Sequence, residues 1–364
     1  MRIADELGLK RPIESKRDEA LSSVLYTSNF IRKAYSALLR RHGLTDVQFN
    51  VLQLLEFDAD FDGLLTQAQL RSMLVVNSTN LSSLLARMEK RDLIERIPLS
   101  HNRRLYALRR TPEGIEIHER AKRDFYAALN EDTAVFTESE SNALMRLLER
   151  LRACLRNIDS WRQCSDHRPQ DIRSIEEELG LKRRIGIVGE AVALNIVYTG
   201  AALKRASRGL LRPHGLTDVQ FNVLQVLKYD ADERGLTQKE LSHMLAVKPA
   251  STSTLVDRME KAGLIERRPV ADDKRAYSLR MTSTGKHVHY RAEQDYCRML
   301  SEEMDALDNT ELLELLGLLD IVREQFRARK WWLERQRVRK KLDAMVSKVR
   351  LEDGELYLAS TERR

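Results

Sequence analysis

Residues 42–53 of the chain read HGLTDVQFNVLQ, and residues 214–225 read the same letters. The displacement is 172 residues. It holds upstream, where Glu6-Leu7-Gly8-Leu9-Lys10-Arg11 returns as Glu178-Leu179-Gly180-Leu181-Lys182-Arg183. Downstream it becomes 171: Arg87-Met88-Glu89-Lys90 returns as Arg258-Met259-Glu260-Lys261, and Leu93-Ile94-Glu95-Arg96 as Leu264-Ile265-Glu266-Arg267. One residue is therefore lost near 61–65. A period this long far exceeds the about 20–50 residues of a solenoid unit, so the repeats are two whole domains of one fold. The polar stretch Ser165-Asp166-His167-Arg168-Pro169-Gln170 separates them. The expected division is 1–168 and 169–350, followed by a tail, 351–364, expected to be poorly ordered.

Bulk composition agrees with two soluble helical domains. The chain has 364 residues, 42% hydrophobic and 32% charged. No apolar run approaches the about 18 residues of a membrane span, and charge begins at Arg2. The expected location is cytoplasmic. A net charge of +7 favours polyanionic partners, provided the charge falls on a reading surface. Cys154, Cys164 and Cys297 lack paired spacing, which argues against a disulfide framework or a zinc knuckle.

Within each repeat the periodicity is mostly helical. A long opening helix covers about 14–41, with its counterpart at 186–211. A second, at about 46–57, carries Val47, Val51, Leu54 and Leu55 at helical spacing. A third starts at the capping-box patterns Thr66-Gln67-Ala68-Gln69 and Thr237-Gln238-Lys239-Glu240. After a tight turn, a fourth helix at about 79–91 aligns Leu81, Leu84, Leu85 and Met88; its partner aligns Thr252, Leu255, Val256 and Met259 behind Pro249. The period then changes to two at Tyr106 and Leu108, and at Tyr277, Leu279 and Met281, which predicts half-buried strands. Each pairs with the preceding segment, Leu93 to Pro98 or Leu264 to Pro269. Between them Ser100-His101-Asn102-Arg103-Arg104 and Asp272-Asp273-Lys274-Arg275 form basic hairpin tips. Helix, turn, helix and basic hairpin is the layout of a winged helix-turn-helix, whose fourth helix can enter a major groove beside a wing on the backbone.

The ordered series Leu216-Thr217-Asp218-Val219-Gln220-Phe221, Leu236-Thr237-Gln238, Val256 to Arg267, Asp273-Lys274-Arg275, Leu279, Met281-Thr282 and Gly285 resembles the MarR family of bacterial regulators. The resemblance covers most of both repeats. It implies a mainly α (α+β) fold in which first and last helices interleave, here as an intramolecular pseudo-dimer sharing a helical dimerisation-like core. It also implies transcriptional repression relieved by a small, often phenolic or aromatic, effector. The first repeat departs from the pattern at Asn102, where the second has Asp273, and at Asp92, where the second has the helix-stopping Gly263. Its wing is expected to be less rigid, and the second repeat to dominate affinity.

The residues expected to meet double-stranded DNA are Thr79, Asn80, Ser82, Ser83 and Arg87 on the first recognition helix, with Ser251, Ser253, Thr254 and Arg258 on the second. Arg103, Arg104, Lys274 and Arg275 are the wing contacts. Arg87 and Arg258 sit late in their helices, where ion pairs with the wing are the competing role. His42 and His214 read as caps of the second helix, with pH sensing or ligand contact as alternatives. Tyr26 and Tyr198 read as core, with an effector pocket as the alternative. The charged helix at 321–349, with Trp331 and Trp332, either packs on the body or reaches DNA. No catalytic constellation, cofactor motif or metal spacing emerges. Two rivals stand beside the regulator reading: a ligand- or protein-binding module that has lost DNA binding, and a thiol redox sensor.

Overall fold

The computed structural model describes residues 3–7, 13, 15–59, 64–74, 81–99, 102–156, 171–229, 231, 235–244, 249–270, 273–303, 307–346, 349–352 and 355–358. The first repeat runs α1 (Ile3–Leu7), α2 (Lys16–Leu39), a 3-10 turn (Arg40–His42), α3 (Asp46–Phe57), β1 (Leu65–Thr66), α4 (Gln67–Met73), α5 (Leu81–Lys90), β2 (Ile94–Leu99), β3 (Asn102–Arg110), α6 (Pro112–Thr133) and α7 (Glu138–Arg156). The second repeats this order as α8 (Ile175–Leu179), α9 (Val188–Leu211), a 3-10 turn (Arg212–His214), α10 (Asp218–Tyr229), β4 (Leu236–Thr237), α11 (Gln238–Met244), α12 (Pro249–Lys261), β5 (Ile265–Val270), β6 (Asp273–Met281), α13 (Ser283–Glu303) and α14 (Asn309–Val346). Each repeat has one antiparallel sheet, ordered β1-β3-β2 and β4-β6-β5.

Local chemistry sets the boundaries. Thr45 caps α3 and Thr66 caps α4, each in a capping box with the glutamine three residues on. Thr111 caps α6 ahead of Pro112 at the first helical position. The fourth helices end in left-handed residues, as expected: Asp92 at φ 55° and Gly263 at φ 68°. Asp92 is the one non-glycine with positive φ among the described residues. It bears a steric cost that Gly263 does not.

Two expectations are corrected. The last helix begins at Asn309, well before 321, because Asp308 accepts the backbone N–H of Thr310 and Glu311. The tail expected to be poorly ordered pairs β7 (Val349–Glu352) with β8 (Glu355–Leu358) in an antiparallel hairpin. The expected domain boundary, with Cys164, lies outside the described residues.

Among the described residues the buried apolar side chains gather in three clusters. Two are the cores of the winged lobes, one built on Phe49, Leu52, Leu70, Leu85 and Met88, the other on Phe221, Leu224, Leu241, Val256 and Met259. The third draws on both repeats: Val24 and Ile31 of α2, Leu148 and Leu151 of α7, Ile196 and Leu203 of α9, and Leu315 and Leu319 of α14. The closing helix of each repeat packs on the opening helix of the other, α7 on α9 and α14 on α2.

Two arginines cross with those helices. Arg152 of α7 is 1% exposed; it donates to Glu178 at 2.9 Å, Asn195 Oδ1 at 2.8 Å and Thr199 Oγ1 at 2.9 Å, all in the second repeat. Arg323 of α14 is 0% exposed and donates to Glu6 at 2.9 Å, Ser23 Oγ at 2.5 Å and Thr27 Oγ1 at 3.0 Å, all in the first. Glu6 and Glu178, Ser23 and Asn195, Thr27 and Thr199 are equivalent positions, as are the arginines. Each short helix, α1 or α8, places the glutamate that neutralises an arginine from the other repeat. Tyr26 and Tyr198 flank these sites; the Arg152 guanidinium lies 5.6 Å from the Tyr198 ring centre, and Tyr26 stacks on Phe30.

The opening helices meet at Ser28 and Gly200, again equivalent positions. A Cβ on Gly200 would lie 2.2 Å from Ser28 Oγ and 2.5 Å from its Cβ. No real Cβ is tolerated at that range, so one partner at this crossing must be glycine.

In each lobe a buried histidine links the helix after the wing to the second helix, α6 to α3 and α13 to α10. His118 Nε2 bonds Gln53 Oε1 at 3.1 Å, with its ring 5.1 Å from Phe49; His289 bonds Gln225 at 3.1 Å, 5.5 Å from Phe221. Burial, with Arg110 and Lys122 beside it, pushes His118 down to about 3. Burial also lowers His289.

Three outcomes follow from this packing. Arg152→Ala leaves Glu178 buried without its cation and should cost about 3–5 kcal/mol of stability in chemical denaturation, with Glu178→Gln recovering part in the double variant. Gly200→Ser should cost about 1–3 kcal/mol by overpacking, and Ser28→Gly in the same chain should restore most of it in a double-mutant cycle. The unfolded chain protonates His118 near the ordinary value of about 6.5, whereas the folded chain holds it neutral to about 3. Its contribution is thus complete above about 6.5 and lost as pH falls toward 3, with a slope approaching about 1.4 kcal/mol per unit. His118→Gln should flatten that slope between pH 6.5 and 4.5.

Candidate nucleic-acid interface

The helix pairs α4–α5 and α11–α12 are the helix-turn-helix units, and α5 and α12 are the recognition helices. On α5 the apolar stripe faces inward, with Leu81, Leu85 and Met88 buried, while Ser82, Ser83 and Arg87 are exposed. Ser82 Oγ accepts from Gln67 Nε2 of α4 at 2.9 Å, tying the two helices together at the surface. On α12, Thr254 and Arg258 are exposed and Ser253 is half-buried; Arg258 Nε donates to the Thr254 carbonyl at 3.3 Å. Thr252 points inward instead and bonds Ser242 of α11 at 2.8 Å. Ser251 lies in the first turns of α12, where the backbone alone is described. Thr79 and Asn80 lie outside the described residues.

The recognition helices are held by groups that sequence reasoning missed. Arg267 on β5 donates to Asp257, at 2.5 Å, and to Glu260, both on α12. These carboxylates, led by the Asp257 hydrogen bond, raise the Arg267 pKa and keep it charged. The first repeat keeps a thinner version, Arg96 to Glu89 at 3.4 Å, because Ala86 stands where the second repeat has Asp257. Arg96 and Arg267 end the Leu-Ile-Glu-Arg motif in both repeats, and that recurrence was the available signal. The wing brace thus falls to Arg96 and Arg267, and Arg87 and Arg258 remain on the outer face. At the far end of α12, Thr282 Oγ1 donates to the Gly263 carbonyl at 2.6 Å and accepts from Gly285 N; Thr111 makes the same bonds to Asp92 and Gly114.

The wings are hairpins of β2–β3 and β5–β6, with a register break at the same place in each. Pro98 pairs with Tyr106 but Leu99 with Asn102; Pro269 pairs with Tyr277 but Val270 with Asp273. The irregular segments therefore contain Arg103 and Arg104, or Lys274 and Arg275. These basic pairs lie on the returning strand, one step past the tip where the sequence reading put them. Burial along the strand corrects the alternation reading: Leu108 and Leu279 are buried, whereas Tyr106 and Tyr277, at the last regular pair before the break, are 46% and 51% exposed.

Elsewhere, the turn histidines do not cap α3 and α10; Thr45 caps α3, and Thr217 accepts from Gln220 N at the start of α10. His42 instead reaches Asp124 of α6, and His214 reaches Asp295 of α13, both at 2.9 Å. Glu56, His118 and Glu119 bring three donor atoms within 4.8 Å of one another. Lys122 bridges both carboxylates, at 2.5 and 2.6 Å, and Arg110 bonds Glu56 at 3.1 Å. The cluster is an internally neutralised network, so its oxygens do not offer a cation an open place. Cys154 is buried, and burial with Asp18 and Glu293 nearby raises the Cys297 thiol, which disfavours the thiolate that redox sensing needs. Among the described residues no helix is long and apolar enough to cross a membrane.

The chain matches the MarR family at residues 42–105 and again at 214–276. A Thauera aromatica protein named for transcriptional regulation of the hcr operon is 32% identical over 119 residues, 33% of this chain and 70% of that protein. The transcriptional regulator TtmR of Methylorubrum extorquens is 31% identical over 134 residues, 36% of this chain and 66% of its own. FarR of Neisseria gonorrhoeae is 24% identical over 127 residues, 35% and 79% respectively. Among solved structures, wild-type MarR of Escherichia coli in its apo form is 28% identical, with a TM-score of 0.29 over 33% of this chain and 87% of that one. AbsC of Streptomyces coelicolor is 20% identical, with a TM-score of 0.36 over 40% and 99%. Each of these matches takes up about one repeat. With the family pattern present at equivalent places in both repeats, the chain belongs to the MarR family and carries two MarR domains in tandem.

Proposed function

We propose that this protein is a sequence-specific DNA-binding transcription regulator in which the two repeats act as the two halves of one dimer. One observation carries the reading. In each repeat the recognition helix buries its apolar stripe and leaves its polar, arginine-bearing face outward beside a basic wing strand. Serine, threonine and arginine on such a helix suit base edges and phosphates. The exposed candidates are Ser82, Ser83, Arg87, Thr254 and Arg258, with Ser253 partly so; Thr79, Asn80 and Ser251 stay candidates on sequence alone. Arg103, Arg104, Lys274 and Arg275 supply backbone contacts from the wings. The names of the curated relatives, transcriptional regulators and repressors, support the same conclusion.

Linkage through a common helical core supports one chain binding one operator, with a half-site per repeat in successive major grooves about 34 Å apart. The operator is an imperfect palindrome, because the reading faces differ between repeats. The second repeat dominates affinity: its recognition helix is braced by two carboxylates through Arg267, and its helix stop is an unstrained glycine. Repression relieved by a small phenolic or aromatic ligand is the part of this reading that family membership supports.

Arg104→Ala and Arg275→Ala should each weaken binding across many duplex sequences and lower the slope of log affinity against log salt by about one, with the larger loss at Arg275. Gel shifts over a salt series read both effects. Full affinity in both variants removes the wings from the interface, and a larger loss at Arg104 reverses the ranking of the repeats.

A further inference from the structure

The crossing of α2 and α9 has a second feature beside the Ser28–Gly200 contact. Asn29, Arg32, Lys33 and Ser36 of α2, Arg40 of the following 3-10 turn and Asp46 at the start of α3 line a cavity of about 460 Å³. From the other repeat, Lys204 of α9 joins it, its ammonium donating to Asn29 Oδ1 at 2.5 Å. Arg208 follows one turn later.

Charge here is unbalanced. Arg32, Lys33, Arg40, Lys204 and Arg208 are cationic, and the carboxylates on hand are Asp46 and Asp218. Both are taken: Asp46 accepts from Arg32 at 3.4 Å and Asp218 from Arg208 Nε at 3.0 Å. The bond to Asn29 gives the Lys204 ammonium a neutral acceptor. Burial and the nearby Arg32 and Arg208 together push Lys204 below the ordinary lysine range. An ammonium in that position is stabilised by any anion that enters the cavity.

We propose that this junction between the repeats is a binding site for a phosphate-class oxyanion, held by Lys204 and Arg32, with Lys33 and Arg40 at its rim. Planar guanidinium forks and a compact ammonium suit tetrahedral oxyanions. The volume is many times the about 30 Å³ share of one water, so a phosphate group enters with part of whatever carries it. The site exists once per chain because the repeats have diverged. Lys204 is the equivalent of Arg32, Arg208 of Ser36, and Asn29 of Ala201. Two copies of one repeat would bring together two arginines or two lysines and lose the Asn29–Lys204 bond. The site is also placed to matter: α2 and α9 run through single 3-10 turns into α3 and α10, which carry the winged lobes. An anion drawing α2 and α9 together at this point constrains the stance of the lobes.

The phosphate comes either from a free phosphorylated compound or from the backbone of bound DNA. The first test uses the full chain without DNA, so its outcome does not depend on the proposed function. Inorganic phosphate is titrated by calorimetry at low ionic strength, with melting curves against chloride at matched ionic strength. The expected result is one phosphate per chain and a higher melting temperature than in chloride. Lys204→Gln should bind about tenfold more weakly or worse, as expected for losing one charged hydrogen bond. Lys33→Gln, at an exposed position that cannot disturb the core, should bind a few-fold more weakly. If the DNA-free chain takes up no phosphate but Lys204→Gln lowers the salt slope of duplex binding by about one, the group belongs to the DNA backbone. Equal phosphate binding by all three proteins overturns the site, as does no binding together with an unchanged salt slope.

Discussion

Everything above the level of the single lobe depends on two buried arginines exchanged between the repeats. A guanidinium cannot sit at 0–1% exposure without a carboxylate and further acceptors, because its desolvation costs several kcal/mol. Arg152 finds them on α8 and α9, and Arg323 on α1 and α2. Arg323 also pairs with the half-exposed Asp320 of its own helix, but the buried acceptors of both arginines lie on the opening helices of the other repeat. The closing helices are therefore committed to cross over, and the apolar side chains of α2, α7, α9 and α14 close into one core. The apolar contacts supply most of the stabilisation, being non-directional and area-dependent. The arginines add direction, since an offset of one helical turn would strand two charges in that core.

Symmetry in the exchange makes the departures from it informative. At the crossing of the opening helices, Ser28 meets Gly200 where a symmetrical pair would meet itself. In the first lobe Glu56 of α3 accepts from Lys122 of α6; in the second, the equivalent pair is Lys228 and Glu293, with the charges reversed. Each lobe keeps its own neutrality while the lobes differ from each other. The repeats also meet away from the crossing: Asp58 at the end of α3 accepts the backbone N–H of Lys182 at 2.8 Å, and Arg183 pairs with Glu190 at 2.6 Å while lying over the Phe57 ring. Freed from having to complement itself, each repeat has specialised at the junction and kept the shared scaffold.

The repeat HGLTDVQFNVLQ, the capping boxes at Thr66 and Thr237 and the change of period at the wings were enough to read the order of elements and the winged fold. Such features are local, set by neighbours within a few residues, and leave a periodic trace. The helix stops were legible for the same reason, since Asp92 and Gly263 occupy a position whose backbone sign is dictated locally. The arginine exchange left no trace, because its partners stand about 26 and 317 residues apart in sequence and charged residues are ordinarily read as surface. The braces Arg96 and Arg267 were hidden likewise, as strand residues whose partners lie on the preceding helix. In the wings, alternation failed at Tyr106 and Tyr277 because they stand at the last regular pair before the tip, outside the apolar clusters that take in Leu108 and Leu279.

The same division between local and exchanged interactions orders the molecule from DNA-facing surface to core. A recognition helix is positioned by its own lobe, through the Ser82–Gln67 or Thr252–Ser242 contact, the arginine brace and the threonine tie at its end. The spacing of the two lobes is positioned by neither lobe. It is set where α2 crosses α9 and where α7 and α14 cross to the opposite repeat, among buried arginines, a glycine contact too tight for any side chain and an unbalanced cluster of cations. Substitutions within a lobe should therefore act on that lobe alone, whereas changes at the crossing act on both at once. The proposed function needs both lobes to shift together, which only the second class of position can bring about, and there Lys33 and Arg40 stand beside Arg32, Lys204 and Arg208 with two carboxylates between them.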